Sequence, residues 1–184
     1  MKTIGFIVGS LRKDSYNLAV AKEFAKLLPA GFEAKFIEIS DLPFYNEDLE
    51  NENDMPASWK RLRSEVATVD GVFFFSPEYN RSVPAALKNA LDVGSRPMGS
   101  SVWGGKPALV VTASPGGIGG FGANHHIRQS LVFLDMPTLQ QPEAYIGGIH
   151  NLVKEDGSII EDTAKFFQLI VDKYIAFFNK LTAE

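Results

Sequence analysis

The apolar positions of this chain follow two alternating periods. Short runs without a polar face, Thr3–Val8, Gly71–Phe75 and Pro107–Thr112, read as strands buried on both sides. Between them apolar residues recur three and four positions apart. Leu18, Ala21, Phe24, Ala25 and Leu28 form one such set, and Trp59, Leu62, Val66 and Val69 a second. Leu87, Ala90 and Leu91 form a third, and Ile127, Leu131 and Leu134 a fourth. Each set is the buried stripe of an amphipathic helix. Pro84, close to the start of the third helix, suits a first turn. Glu33–Ile39 alternates apolar and polar residues, which predicts a half-exposed strand near a sheet edge. Met136–Leu139 predicts a fifth strand, and Phe166, Ile170, Tyr174, Phe177 and Leu181 the stripe of a last helix. Asp41–Asp54 reads as a polar loop, and Gln140–Ser158 as an irregular excursion with an Asp156-Gly157 turn.

Strand–helix alternation with apolar strands implies a parallel sheet covered on both faces, with right-handed crossovers. Five units in one domain spanning 1–184 predict an α/β, flavodoxin-like three-layer sandwich with strand order 2-1-3-4-5. In that arrangement a ligand crevice lies at the C-terminal edge of the sheet, around the first and third strands. The loops that would line it are Ser10–Asn17, Ser76–Pro84 and Ser114–Gly120.

Composition narrows the chemistry. A net charge of −4 gives no overall positive field for nucleic acid or an anionic membrane. The absence of cysteine excludes disulfides, thiolate metal sites and a cysteine nucleophile, and points to an intracellular, cytoplasmic setting. Arg12 and Lys13 follow the first apolar run where a signal peptide would carry small residues, and no run is long enough for membrane insertion. Three histidines leave little room for a zinc site, and no metal is expected.

Each loop has its own chemistry. In the first, Ser10, Arg12 and Ser15 stand beside the free amides of a new helix, which suits a phosphate. The same residues also suit a plain helix cap by Ser15 or Asp14. In the second, Ser76-Pro77-Glu78-Tyr79-Asn80-Arg81-Ser82-Val83-Pro84 offers a stiff platform for a planar heteroaromatic ring, or simply a proline-pinned turn. In the third, Ser114-Pro115-Gly116-Gly117-Ile118-Gly119-Gly120 lets backbone approach a ligand closely, or is a flexible loop. It is not a dinucleotide fingerprint, and Gly104-Gly105-Lys106 is not a phosphate-binding P-loop. His125 and His126 fall on a helix surface, and no serine–histidine–acid set can be assembled. One crevice with a phosphate cradle, a ring platform and a glycine wall fits FMN.

Gly9-Ser10-Leu11-Arg12-Lys13-Asp14-Ser15-Tyr16-Asn17, together with Ser76 to Asp92, resembles the NAD(P)H-dependent FMN reductase family, in its quinone and chromate reductase branch. The resemblance implies that Ser10, Arg12, Ser15, Tyr16 and Asn17 grip the FMN phosphate. It gives ring contacts to Pro77, Glu78, Tyr79 and Asn80, with Ser114, Gly116, Gly117 and Gly119 beside them. It also implies NADPH or NADH as hydride donor, a small-molecule acceptor (quinone, free flavin, chromate, azo or nitroaromatic compound), and dimers or pairs of dimers. Helices bearing Leu91, Phe133 and His125 are the candidates for the subunit contact. No side chain is expected to be catalytic, because the cofactor carries the chemistry. A small domain without a second dinucleotide fold predicts that NAD(P)⁺ leaves before the acceptor enters, a ping-pong scheme. The competing readings are a flavodoxin-like electron carrier and a flavin-binding interaction protein without nicotinamide activity.

Overall fold

A computed structural model of the chain describes residues 1–51 and 53–183. Five parallel strands, β1 (Lys2–Val8), β2 (Phe32–Phe36), β3 (Gly71–Ser76), β4 (Ala108–Ala113) and β5 (Ala144–Ile146), pair in the order β2-β1-β3-β4-β5. The helices are α1 (Tyr16–Lys26), α2 (Ala57–Ala67), α3 (Ala85–Ser95), α4 (Phe121–Phe133) and α5 (Glu161–Thr182). The flavodoxin-like α/β architecture expected from the strand–helix rhythm is the one observed.

Two cores explain why the central strands carry no polar face. Successive residues of a strand point to opposite sides. Phe73 and Phe75 therefore join Phe6, Phe24, Phe167 and Tyr174 under α1 and α5. Val72 and Phe74 instead meet Trp59, Leu62, Leu87 and Trp103 beneath α2 and α3, where Ile127 and Leu131 of α4 complete the layer. The first core is aromatic: Phe73 and Tyr174 lie 4.5 Å apart between ring centroids, and Phe24 and Phe167 4.8 Å. The buried Tyr174 hydroxyl donates to the Pro107 carbonyl at 2.9 Å, and burial pushes its pKa up, so it remains a donor.

Two expectations need correction. The fifth strand is Ala144–Ile146, inside the stretch read as irregular, whereas Met136–Leu139 makes only a single bridge, Ala108 with Thr138. Pro137 and Pro142 have no N–H to give a ladder, so the edge is interrupted between them and resumes at Ala144. The buried stripe of α5 is Phe167, Ile170, Val171, Tyr174 and Phe178; Phe166 is 38% and Leu181 47% exposed. Adjacent phenylalanines made the register ambiguous by one residue. Leu91 itself is buried in the protein's own core, so α3 would meet another subunit only through its exposed residues.

Smaller differences follow from local geometry. β2 is the sheet edge, as the alternation implied, but it stops at Phe36, and Ile37 and Ile39 tuck into the second core beyond it. Leu28, Val69 and Leu134 lie just past the ends of their helices. Among the described residues no helix is long and apolar enough to cross a membrane.

Candidate active site

The chain runs outward from β1 to β2 on one side and to β3 and β4 on the other, so the sheet has its switch point between β1 and β3. Register brings the strand ends level: Val8 pairs with Phe75, Ser76 with Thr112, and the Gly9 amide donates to the Phe75 carbonyl at 2.7 Å. The three loops singled out in the sequence thus leave one edge of the sheet side by side.

The first loop closes upon itself. Ser15 has extended backbone and its Oγ accepts the Leu18 amide at 3.2 Å, so Ser15 is the cap of α1. The Arg12 Nε donates to the Asp14 carbonyl at 2.9 Å, its Nη2 bonds the same oxygen, and the guanidinium carbon stands 4.9 Å over the Tyr16 ring. Being the first residues of α1, Tyr16 and Asn17 have amides without an intrahelical acceptor. Asn17 is buried, and its Nδ2 donates to the Ala113 carbonyl at 3.2 Å, which ties this loop to the end of β4. Its Oδ1 is buried without a protein partner. A lone buried acceptor costs free energy unless something donates to it.

The second loop is a tight turn held under strain. Tyr79 and Ser82 exchange both backbone hydrogen bonds, at 3.1 and 3.0 Å, around Asn80 (φ 50°) and Arg81 (φ 64°). Positive φ at both central positions is the type I′ turn, and it is costly for arginine. Three side-chain contacts hold it. The Glu78 carboxylate accepts the Ala123 amide at the start of α4 at 3.0 Å and meets Arg81 at 3.4 Å. Ser82 Oγ lies 2.8 Å from His126 Nδ1. Glu78 is therefore turned toward α4 and offers the crevice its backbone, while Tyr79 is 52% exposed above it.

The third loop is open at Gly116 and Gly117 but leaves no room for a side chain at Gly119 and Gly120. Ser114 Oγ accepts the Gly116 amide at 3.1 Å, and the Gly119 amide donates to the Gly116 carbonyl at 3.2 Å. Gly119 has φ +61°, and a Cβ there would lie 2.5 Å from the Tyr145 carbonyl carbon. Beside it Phe121, His125 and Tyr145 form an aromatic cluster, with Tyr145 Oη 3.1 Å from His125 Nε2. Burial, reinforced by the neighbouring Glu143, pushes the Tyr145 pKa up to about 12, so this hydroxyl is protonated at neutral pH.

Three cavities are lined in part by Arg12. One, of about 460 Å³, runs between the first and second loops and is lined by Gly9, Leu11, Arg12, Tyr79 and Pro84 together with Ile39, Ser40, Leu42, Phe44 and the start of α3. Another, of about 700 Å³, lies between α1 and the turn at 153–158. A third, of about 450 Å³, lies between Ser10–Lys13 and residues 36–40.

Residues 1–151 match the NADPH-dependent FMN reductase family. The chain belongs to that family. It is 55% identical over 172 residues to a quinone reductase of Pseudomonas putida, a match covering 94% of this chain and 92% of the relative. It is 42% identical over 174 residues to a 2-hydroxy-1,4-benzoquinone reductase of Burkholderia sp., covering 94% of both. The solved structure of FerB, a flavoenzyme NAD(P)H:(acceptor) oxidoreductase from Paracoccus denitrificans, superposes with a TM-score of 0.90 at 40% identity, covering 98% of each chain. As a member of the FMN reductase family, the chain is an oxidoreductase that works with FMN and a reduced nicotinamide.

The residues present fit such a cofactor. Exposed Arg12 and the first amides of α1 suit a phosphate, the unpaired Asn17 Oδ1 suits a ligand hydroxyl, and the Tyr79–Ser82 turn and glycine loop suit a flat ring. Sequence reasoning did not find the contact between His126 and Ser82, nor the Phe121–His125–Tyr145 cluster. The two histidines lie on α4 at successive positions, and only the packing of α4 against two different loops gives each a partner.

Proposed function

We propose that this protein is an NAD(P)H-dependent quinone reductase whose FMN is held by the three loops at the C-terminal edge of β1, β3 and β4. The observation that carries the reading is their convergence at the switch point, with Asn17 of the first loop bonded to Ala113 at the base of the third. The names and extent of the most similar relatives support a quinone as acceptor.

FMN, when bound, would supply the redox chemistry, two-electron transfer between the nicotinamide and the acceptor. The chain's residues bind and orient it. Arg12, Ser10 and the Tyr16 and Asn17 amides would hold the phosphate, and Ser15 would fix the helix that presents those amides. Pro77, Tyr79 and Asn80 would carry the ring, with Glu78 bracing the turn from behind. Ser114, Gly116 and Gly117 would wall it, and Gly119 would let that wall sit against Tyr145. Amides at the tips of the two turns, those of Asn80 and Gly117, would donate to negative charge on the ring. One such crevice would serve donor and acceptor in turn, which predicts ping-pong kinetics.

Self-association belongs to the same reading. Met98, Val132 and Phe133 are each at least 80% exposed, and Met98 and Phe133 line a common depression. Surfaces of this apolar character are candidates for subunit contact. A cytoplasmic location accords with the use of reduced nicotinamides.

The test is steady-state assay of FMN-loaded protein with NAD(P)H and a benzoquinone. Quinone-dependent oxidation of NAD(P)H with parallel double-reciprocal lines is expected. Oxidation that does not depend on quinone, or intersecting lines, would count against the acceptor or the scheme respectively.

A further inference from the structure

The segment after β2 is pinned by its backbone yet leaves one large aromatic side chain in solvent. Buried Asn89 of α3 accepts the Tyr45 amide through Oδ1 at 2.8 Å and donates through Nδ2 to the Leu42 and Pro43 carbonyls at 3.3 and 3.0 Å. Trp59 Nε1 donates to the same Pro43 carbonyl at 3.0 Å. Downstream, Tyr45 stacks on Trp59 and its hydroxyl donates to Glu50 at 2.6 Å, while Arg96 clasps Glu50. Leu42 and Tyr45 pack against the second core, but Phe44 between them is 75% exposed. Scattered exposed apolar residues are ordinary on a surface. Phe44 differs in being aimed by a braced backbone and in lining the 460 Å³ cavity that reaches Arg12 and Tyr79.

That cavity is apolar. Leu11, Ile39, Leu42, Phe44, Pro84 and Ala86 form much of its wall. Arg12 is the one charged residue among the described residues that line it, and in the proposed reading its guanidinium is given to the cofactor phosphate. The Asn89 side chain is spent on residues 42–45. Small-molecule sites of this size take mostly apolar ligands with a few polar contacts. With Arg12 given to the cofactor, an anionic acceptor would find no further charged residue among the described residues that line the cavity.

We infer that the cavity is the acceptor pocket, that it takes uncharged planar rings of the naphthoquinone class, and that Phe44 is the residue that selects them by stacking. Asn89 and Trp59 are positioning residues that hold Phe44 at the mouth. The assignment rests on the proposed quinone reductase reading and names the part of the site that receives the quinone.

The experiment is calorimetric titration of oxidised, FMN-loaded protein with 1,4-naphthoquinone, for wild type, Phe44→Ala and Phe44→Tyr. Phe44→Ala is expected to raise the quinone Kd about fivefold, the size of one lost aromatic contact, and Phe44→Tyr to restore it. In turnover, the preference for naphthoquinone over hexacyanoferrate(III), expressed as a ratio of kcat/KM values, should fall by a similar factor through KM. An unchanged quinone Kd in Phe44→Ala overturns the inference. An equal loss of FMN affinity also overturns it, by giving the cavity to the cofactor. Failure of wild type to oxidise NAD(P)H would refute the reductase reading on its own, because the binding titration needs no turnover.

Discussion

Glu78 Oε2 accepts the backbone amide of Ala123 at 3.0 Å, so the loop after β3 is fastened to the first turn of α4. The carboxylate is 9% exposed and also faces Arg81, whose left-handed backbone it helps to hold. Glu78→Ala would leave a helix-start amide unpaired and the turn unbraced. It should cost about 1.5–3 kcal/mol, the usual range for a hydrogen bond to a charged group. Glu78→Gln keeps an acceptor and should cost under about 1 kcal/mol. Denaturant unfolding of the two variants checks this, and equal losses would contradict the proposed brace.

Arg12 is exposed and its protein partners lie within its own loop. Arg12→Ala should therefore leave stability within about 0.5 kcal/mol of wild type. FMN affinity should fall by about 1.5–3 kcal/mol through loss of a charge-assisted contact to phosphate. Fluorescence titration with FMN measures the loss, and an unchanged Kd would remove Arg12 from the phosphate site.

Phe166 and Phe167 are neighbours with opposite fates, one 38% exposed and the other fully buried against Phe24. Phe167→Ala should destabilise by about 3–5 kcal/mol and Phe166→Ala by under about 1 kcal/mol. Thermal unfolding of the pair tests the register of α5.

Asp70 joins the starts of β1 and β3: its carboxylate accepts the Thr3 amide at 2.8 Å and pairs with Lys2 at 3.2 Å. Burial acts to raise its pKa, but these bonds outweigh it and hold the group below the ordinary carboxylate range. A pKa lower in the folded than the unfolded state stabilises fully above the unfolded value of about 3.9. That stabilisation is lost as pH falls through the depressed folded value. Wild type should accordingly lose stability relative to Asp70→Asn as pH falls from about 4. Chemical unfolding across this window checks the sign, and a difference independent of pH would contradict it.

The sheet order was legible because strands and helices alternate and Phe73 to Phe75 are apolar on both faces, as expected of a central strand covered on both sides. The three loops were legible because strand ends fix where loops emerge. β5 was not: three residues flanked by Pro142 and Gly147 carry no period, and their pairing with Val111–Ala113 is set by tertiary contact. The stripe of α5 slipped because Phe166-Phe167 and Phe177-Phe178 satisfy two registers equally. Phe44 could not be singled out either. Its exposure depends on Asn89, 45 positions away, which grips the backbone on both sides of it.

Membership of the FMN reductase family implies that FMN bound here is reduced directly by a nicotinamide. Anaerobic titration of FMN-loaded protein with NADPH and with NADH, following the absorbance of oxidised flavin, tests it most directly. Rapid, stoichiometric bleaching by at least one of the two is the predicted result. Flavin that binds but stays oxidised with both would contradict it.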